Sequence, residues 1–145
     1  MPTRTATTTW TGDLQSGSGT VEMTSSKIGT YEVSWPKRLA DESGGTTSPE
    51  ELVAAALSSC FSMAFSNELA KAGASNTRLT VRADATIGPD PAGGFHIRSV
   101  KLTVSGTADG IDEAAFTKAA DAAKTGCPVS KALTGTDIQL EASFG

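Results

Sequence analysis

Ser48-Pro49-Glu50-Glu51-Leu52-Val53-Ala54-Ala55-Ala56-Leu57-Ser58-Ser59-Cys60-Phe61-Ser62-Met63-Ala64-Phe65 is the stretch that decides how this 145-residue chain folds. Ser48 can cap a helix, Pro49 suits the first helical position, and Glu51, three residues after Ser48, completes a capping box. Gly73 is the first strong stop, so a helix is predicted from Pro49 to about Ala72. Between Leu52 and Phe65 it is small and apolar on nearly every face, without the one-sided stripe of a surface helix. A central, buried helix is expected. The apolar run is broken by Ser58, Ser59, Cys60 and Ser62 and falls short of the roughly 20 apolar residues that span a bilayer.

Upstream of this helix, β-branched residues and Gly-rich turns predict three strands, over residues 3–11, 20–25 and 31–35, followed by a loop over 37–47. Downstream, 79–87 and 95–106 read as a long hairpin joined through Pro89-Asp90-Pro91 and Gly93-Gly94. Ile111, Ala115, Phe116, Ala119, Ala120 and Ala123 recur at helical spacing and predict an amphipathic helix over 111–124, beginning near Asp112 and ended by Gly126. A short helix over 128–133 and an alternating strand over 137–144 close the chain. The order is βββαββααβ, an α+β pattern in one domain, 1–145, with no repeat or linker.

Composition narrows the function. Twelve Lys and Arg against 16 Asp and Glu give a net charge of −4 without a basic cluster, so nucleic acid and membrane surfaces are not expected partners. One His and two Cys leave too few soft ligands for a structural zinc site, and no metal is expected. The N-terminal sequence has no apolar segment of a secretory signal, which points to a cytoplasmic protein. Aromatic residues make up only 6% of the chain, little for the core of a small domain, and oligomerisation could supply the missing burial.

Cys60 and Cys127 are the candidates for chemistry. Cys60 stands inside the apolar helix, where a buried thiol is often inert and where a reactive thiolate needs a cation brought from elsewhere. Lys37 and Arg38 could supply it, with Glu50 or Glu51 able to orient a guanidinium. Cys127, before Pro128 at the start of a helix, is locally the more acidic thiol. A static disulfide between the two would close a loop of about 68 residues, worth on the order of 4 kcal/mol in the chain-entropy model. A reducing compartment argues for a reversible bond instead. His96, inside a strand, reads as a packed or surface residue.

Three blocks, Thr47-Ser48-Pro49-Glu50-Glu51-Leu52, Ser58-Ser59-Cys60-Phe61-Ser62-Met63-Ala64 and Ala123-Lys124-Thr125-Gly126-Cys127-Pro128-Val129-Ser130, resemble the OsmC/Ohr family of thiol-dependent hydroperoxide reductases. The resemblance covers essentially the whole chain. The segment 12–25 holds no Arg, whereas Arg38 follows the third strand, which is similar to the OsmC branch rather than the Ohr branch. The resemblance implies an OsmC-like fold, with antiparallel sheets wrapped around the central helix in an intertwined homodimer whose active sites lie at the interface. It implies that Cys60 is the peroxidatic thiol, Cys127 the resolving one, and that Arg38 and Glu50 complete the site. No cofactor is implied beyond an external dithiol reductant, in some relatives a lipoylated protein.

Glu50 and Cys60 stand ten residues apart, about 15 Å along one helix, so the Glu50 and Arg38 that serve Cys60 are expected from the other subunit. Phe61, Met63, Phe65, Trp35 and Phe95 would favour organic hydroperoxides over hydrogen peroxide if they line the site. Two rivals remain on the sequence alone: a dimeric binding protein whose apolar pocket holds a lipid or other small molecule, and a structural stress protein with an inert disulfide.

Overall fold

The computed structural model describes residues 1–145. The chain divides into two compact units, Met1–Pro49 and Glu50–Gly145.

The N-terminal unit is an antiparallel sheet of β1 (Thr7–Thr11), β2 (Ser18–Glu22) and β3 (Thr30–Val33), in that spatial order. The β1–β2 turn is held by Asp13, whose Oδ1 accepts from the Gln15 and Ser16 backbone N–H groups at 2.9 and 2.8 Å. These bonds, that to the Ser16 N–H foremost and then one from the Ser16 hydroxyl, keep the Asp13 carboxyl below the ordinary carboxylate range. The strands are shorter than expected because residues 3–6 and 23–25 leave the ladder. They are tied instead by isolated bonds such as Ser25 N–H to Thr5 O at 3.0 Å.

A second correction follows β3. The expected strand end at Trp35 and the loop after it hold a one-turn helix, α1 (Trp35–Arg38). Ser34 is extended and its hydroxyl accepts from the Lys37 N–H at 3.4 Å, while Pro36 sits in the first turn. A capping serine and an early proline start a helix over few residues, overriding the strand character of Tyr31 to Trp35. The observed order is therefore βββααββααβ.

α2 (Pro49–Lys71) runs unbroken for 23 residues. Gly73 ends it as expected, at φ +89°, where a side chain would be strained; Ala74 N–H returns to Leu69 O at 3.0 Å and closes the last turn. β4 (Ser75–Pro89) and β5 (Phe95–Asp109) form the hairpin, longer than expected at 15 residues each. The extension begins at a register shift between Ser75 and Arg78, where Asn76 takes positive φ. α3 (Glu113–Gly126) is capped by Asp112, and Gly126 is its last residue rather than its terminator. α4 (Pro128–Ala132) leads to β6 (Asp137–Phe144).

The second sheet has the order β4-β5-β6 and is not wholly antiparallel, which corrects the expectation. β6 pairs parallel to β5, Val100 opposite Ile138 and Leu102 opposite Leu140. The chain between them is long enough to hold α3 and α4, the length of crossover a parallel pairing needs.

The core of this unit joins Leu57, Phe61, Phe65 and Leu69 of α2 to Val100, Leu102 and Val104 of β5 and to Phe116, Ala119, Ala120 and Ala123 of α3. Ring contacts run from Phe61 to Phe65 (5.5 Å), Phe116 (4.8 Å from Phe65) and Phe144 (4.9 Å from Phe116). The four α2 residues follow one another at intervals of four, a single stripe. Burial of α2 on all faces is therefore not what the single chain has: Ala55, Ala56, Ser59 and Met63 are exposed. By length and composition alone α2 could cross a membrane, with mean hydropathy 1.3 over 18 residues. The expectation that it was too short counted only 52–65. The core helix of a soluble protein passes the same test, and here the largest apolar side chains of the helix are packed against β5 and α3.

Candidate active site

Cys60 lies in the middle of α2, partly exposed and packed against the core beside the buried Phe61. Cys127 lies at the junction of α3 and α4, fully buried, its N–H bound to Ala123 O at 2.9 Å and its carbonyl accepting from Lys131 N–H at 3.0 Å. Two helix ends thus fix its backbone, and extended dihedrals there (φ −62°, ψ 125°) break the helical path between α3 and α4. The fold brings the two sulfurs together from sequence positions far apart. They are unlinked and near enough that each affects the other's acidity.

Their surroundings set the two thiols apart in acidity. Burial pushes the Cys60 thiol up, and the neighbouring Cys127 pushes it further, against a smaller opposing effect of the Val129 backbone. Burial also disfavours the Cys127 thiolate. It is outweighed by the neighbouring Cys60 and by the polar groups of Ser130 and Val129 at the start of α4, which bring Cys127 below the ordinary thiol value. The local reading of the sequence, which ranked Cys127 as the more acidic, is what this pair displays. Ser130 and Val129 were not singled out from the sequence. Their signal was the Cys127-Pro128-Val129-Ser130 spacing, which places both in the first turn of the short helix that Cys127 opens.

Arg38 belongs to the N-terminal unit, in the last turn of α1, with its guanidinium carbon 5.5 Å from the centroid of the Trp35 ring. Lys37, beside it, lines an open cavity of about 450 Å³ with Thr11, Glu32 and Thr46, which contains no thiol. Glu50 stands in the first turn of α2, 7% exposed, in the same unbroken helix as Cys60 and about 15 Å from it along the axis. The chain does not bend to shorten that distance. Glu51 is exposed. Among the expected substrate contacts, Phe61 and Phe65 are wholly buried core, which removes them from that role, while Met63 and Phe95 are exposed. His96 is half-buried on β5, its Nδ1 3.6 Å from Asp90 Oδ2.

An α+β chain that brings two unlinked thiols near each other, one raised and one lowered in pKa, is compatible with a pair of redox cysteines. Residues 41–142 match the family model described as OsmC-like protein, and the chain belongs to that family. It is 38% identical over 135 residues to Peroxiredoxin OsmC of Escherichia coli (strain K12), covering 91% of this chain and 92% of that protein. Among solved structures, an organic hydroperoxide resistance protein of Elizabethkingia anophelis is similar with a TM-score of 0.75 and 27% identity, over 100% of this chain and 98% of that one. An OsmC of Legionella pneumophila, described as an organic hydroperoxide resistance protein, shares the fold at a TM-score of 0.71 and 24% identity, over 96% of each chain.

Proposed function

We propose that this protein is a thiol-dependent peroxidase that reduces organic hydroperoxides, and hydrogen peroxide more weakly, in the defence of the cytoplasm against oxidative or osmotic stress. The observation that carries the reading is the pair of free thiols, Cys60 and Cys127, brought near each other at the core of one unit. The names of its relatives, a peroxiredoxin and hydroperoxide resistance proteins, agree with it.

In the first step the Cys60 thiolate attacks the distal peroxide oxygen. The O–O bond breaks, an alkoxide leaves and is protonated to the alcohol, and Cys60 becomes a sulfenic acid. Cys127 then attacks the Cys60 sulfur, an S–S bond replaces S–O, and the released hydroxide becomes water. An external dithiol, such as a protein-bound lipoyl group, reduces the disulfide by exchange. Cys60 must be ionised to begin, yet its surroundings in the second unit push its thiol up. Arg38 is assigned the role of supplying the missing positive charge and of holding the peroxide, and Glu50 that of orienting Arg38. The separation along α2 supports a site completed by a second copy of the chain. The exposed small residues Ala55, Ala56 and Ser59, with Met63 at 74% exposure, form the face on which the two central helices would pack.

Adding cumene hydroperoxide to the reduced protein should remove one thiol rapidly, with no such loss in Cys60→Ser and no disulfide in Cys127→Ser. Equal peroxide consumption by wild type and Cys60→Ser would overturn the enzyme reading in favour of a binding or structural protein. Mixing Cys60→Ser and Glu50→Gln chains tests the composite site: one intact site per mixed dimer should restore activity, and an inactive mixture would place Glu50 with the Cys60 of its own chain. Arg38→Ala should move the pH profile of thiol loss upward and slow the reaction at pH 7 by about tenfold or more.

A further inference from the structure

The two cysteines differ in what can reach them. Cys127 is wholly buried, at 0% exposure, in one core with Leu57, Phe116, Ala120 and Ala123, whereas Cys60 is partly exposed and packs against that core from outside. The backbone holds Cys127 where it is. Its N–H is bound to Ala123 O at 2.9 Å, its carbonyl accepts from the Lys131 N–H at 3.0 Å, and Pro128 follows it, so carrying the thiol to the surface would undo the end of α3 and the start of α4 together. Association with a further chain can only add to this burial.

Reduction of a Cys60–Cys127 disulfide needs an outside thiolate in contact with one of its two sulfurs, and access decides which one is attacked. Of the pair, Cys60 alone keeps an approach from solvent. In the peroxidase reading the peroxide already uses that approach. The chemistry of departure points the same way, because the thiol of lower pKa is the better leaving group and Cys127 is the lowered one.

We propose that the reductant attacks Cys60 and not Cys127, so that peroxide and dithiol meet the protein in turn at one sulfur while Cys127 stays in the core throughout the cycle. The inference rests on the peroxidase reading. A thiolate of the reductant bonds to Cys60 Sγ, the Cys60–Cys127 bond breaks, and its electron pair leaves on Cys127 Sγ, which takes a proton from solvent. The second thiolate of the same dithiol then attacks the reductant's sulfur in the mixed disulfide. That closes the reductant's own disulfide and releases Cys60 as a thiolate. Two electrons pass from the dithiol to the cysteine pair.

Two measurements test it. The disulfide of the wild-type chain is formed with diamide, opened briefly with glutathione, and the reaction stopped with N-ethylmaleimide in acidic denaturant. Peptide mapping should find glutathione on Cys60 and the maleimide on Cys127, with the reverse pattern at least about tenfold rarer. In the reduced single-thiol variants, iodoacetamide should modify Cys60 in Cys127→Ser about tenfold faster than Cys127 in Cys60→Ser, and denaturant should remove the difference. Cys127 is the more acidic thiol, so a slower reaction there reads access and not ionisation. Glutathione on Cys127, or equal alkylation of the two folded variants, would overturn the proposal; if no adduct survives on either sulfur, the alkylation rates decide. Neither measurement involves a peroxide. Should cumene hydroperoxide form no disulfide, the peroxidase reading falls, and the adduct map still shows which sulfur an outside thiol reaches.

Discussion

At the scale of single residues, the phenylalanines carry the fold and the cysteines carry the proposed chemistry. Phe65 touches Phe61 and Phe116 and is wholly buried, so Phe65→Ala should cost about 3–5 kcal/mol, read as a fall in the urea midpoint of unfolding. Cys60 and Cys127 have opposite linkage to pH. The raised thiol of Cys60 favours folding below its ordinary range, an advantage lost as pH rises through its folded value; the lowered thiol of Cys127 favours folding above the ordinary range, lost as pH falls through its folded value. Both cysteines were legible as candidates because thiols are rare in the sequence. Arg38 was marked by its place after the third strand and by the family's pattern.

At the scale of elements, local signals worked where they were dense. The Ser48, Pro49 and Gly73 punctuation marked both ends of α2, and Asp112 marked the start of α3. Its Oδ1 accepts from the Ala115 N–H at 2.8 Å, so Asp112→Ala should cost about 1 kcal/mol, measurable as a lowered thermal midpoint. The β1–β2 turn depends on the ionised Asp13. Its depressed carboxyl means that the turn's contribution is present above the ordinary carboxylate pKa and disappears as pH falls through the folded value. Amide exchange at Gln15 and Ser16 should rise over that acidic window in the wild type and be high at all pH values in Asp13→Ala. α1 escaped the sequence because its cap lies one residue inside a run of strand formers. The full length of β4 escaped because the shift at Asn76 breaks the alternation on which strand ends are read.

At the scale of the whole molecule, the α+β class and the helix at its centre were legible, and the parallel β5–β6 pairing was not. Alternation reveals a strand but not its direction, which depends on the length and packing of the crossover. The burial of α2 was overread for a related reason: small residues show that a face can be approached closely, not what approaches it. The proposed dimer makes the exposed face of α2 testable. Met63→Glu should halve the solution mass by light scattering while leaving the helical circular dichroism intact, because Met63 is exposed in the single chain. The crossover has one more consequence, for the chain as it is made. Cys127 sits in the segment that must be complete before the last strand can dock beside β5. At synthesis rates of about 5–20 residues per second, Cys60 leaves the ribosome several seconds before Cys127, its proposed redox partner, exists. A nascent chain that meets an oxidant in that interval would form a sulfenic acid with no internal thiol to rescue it.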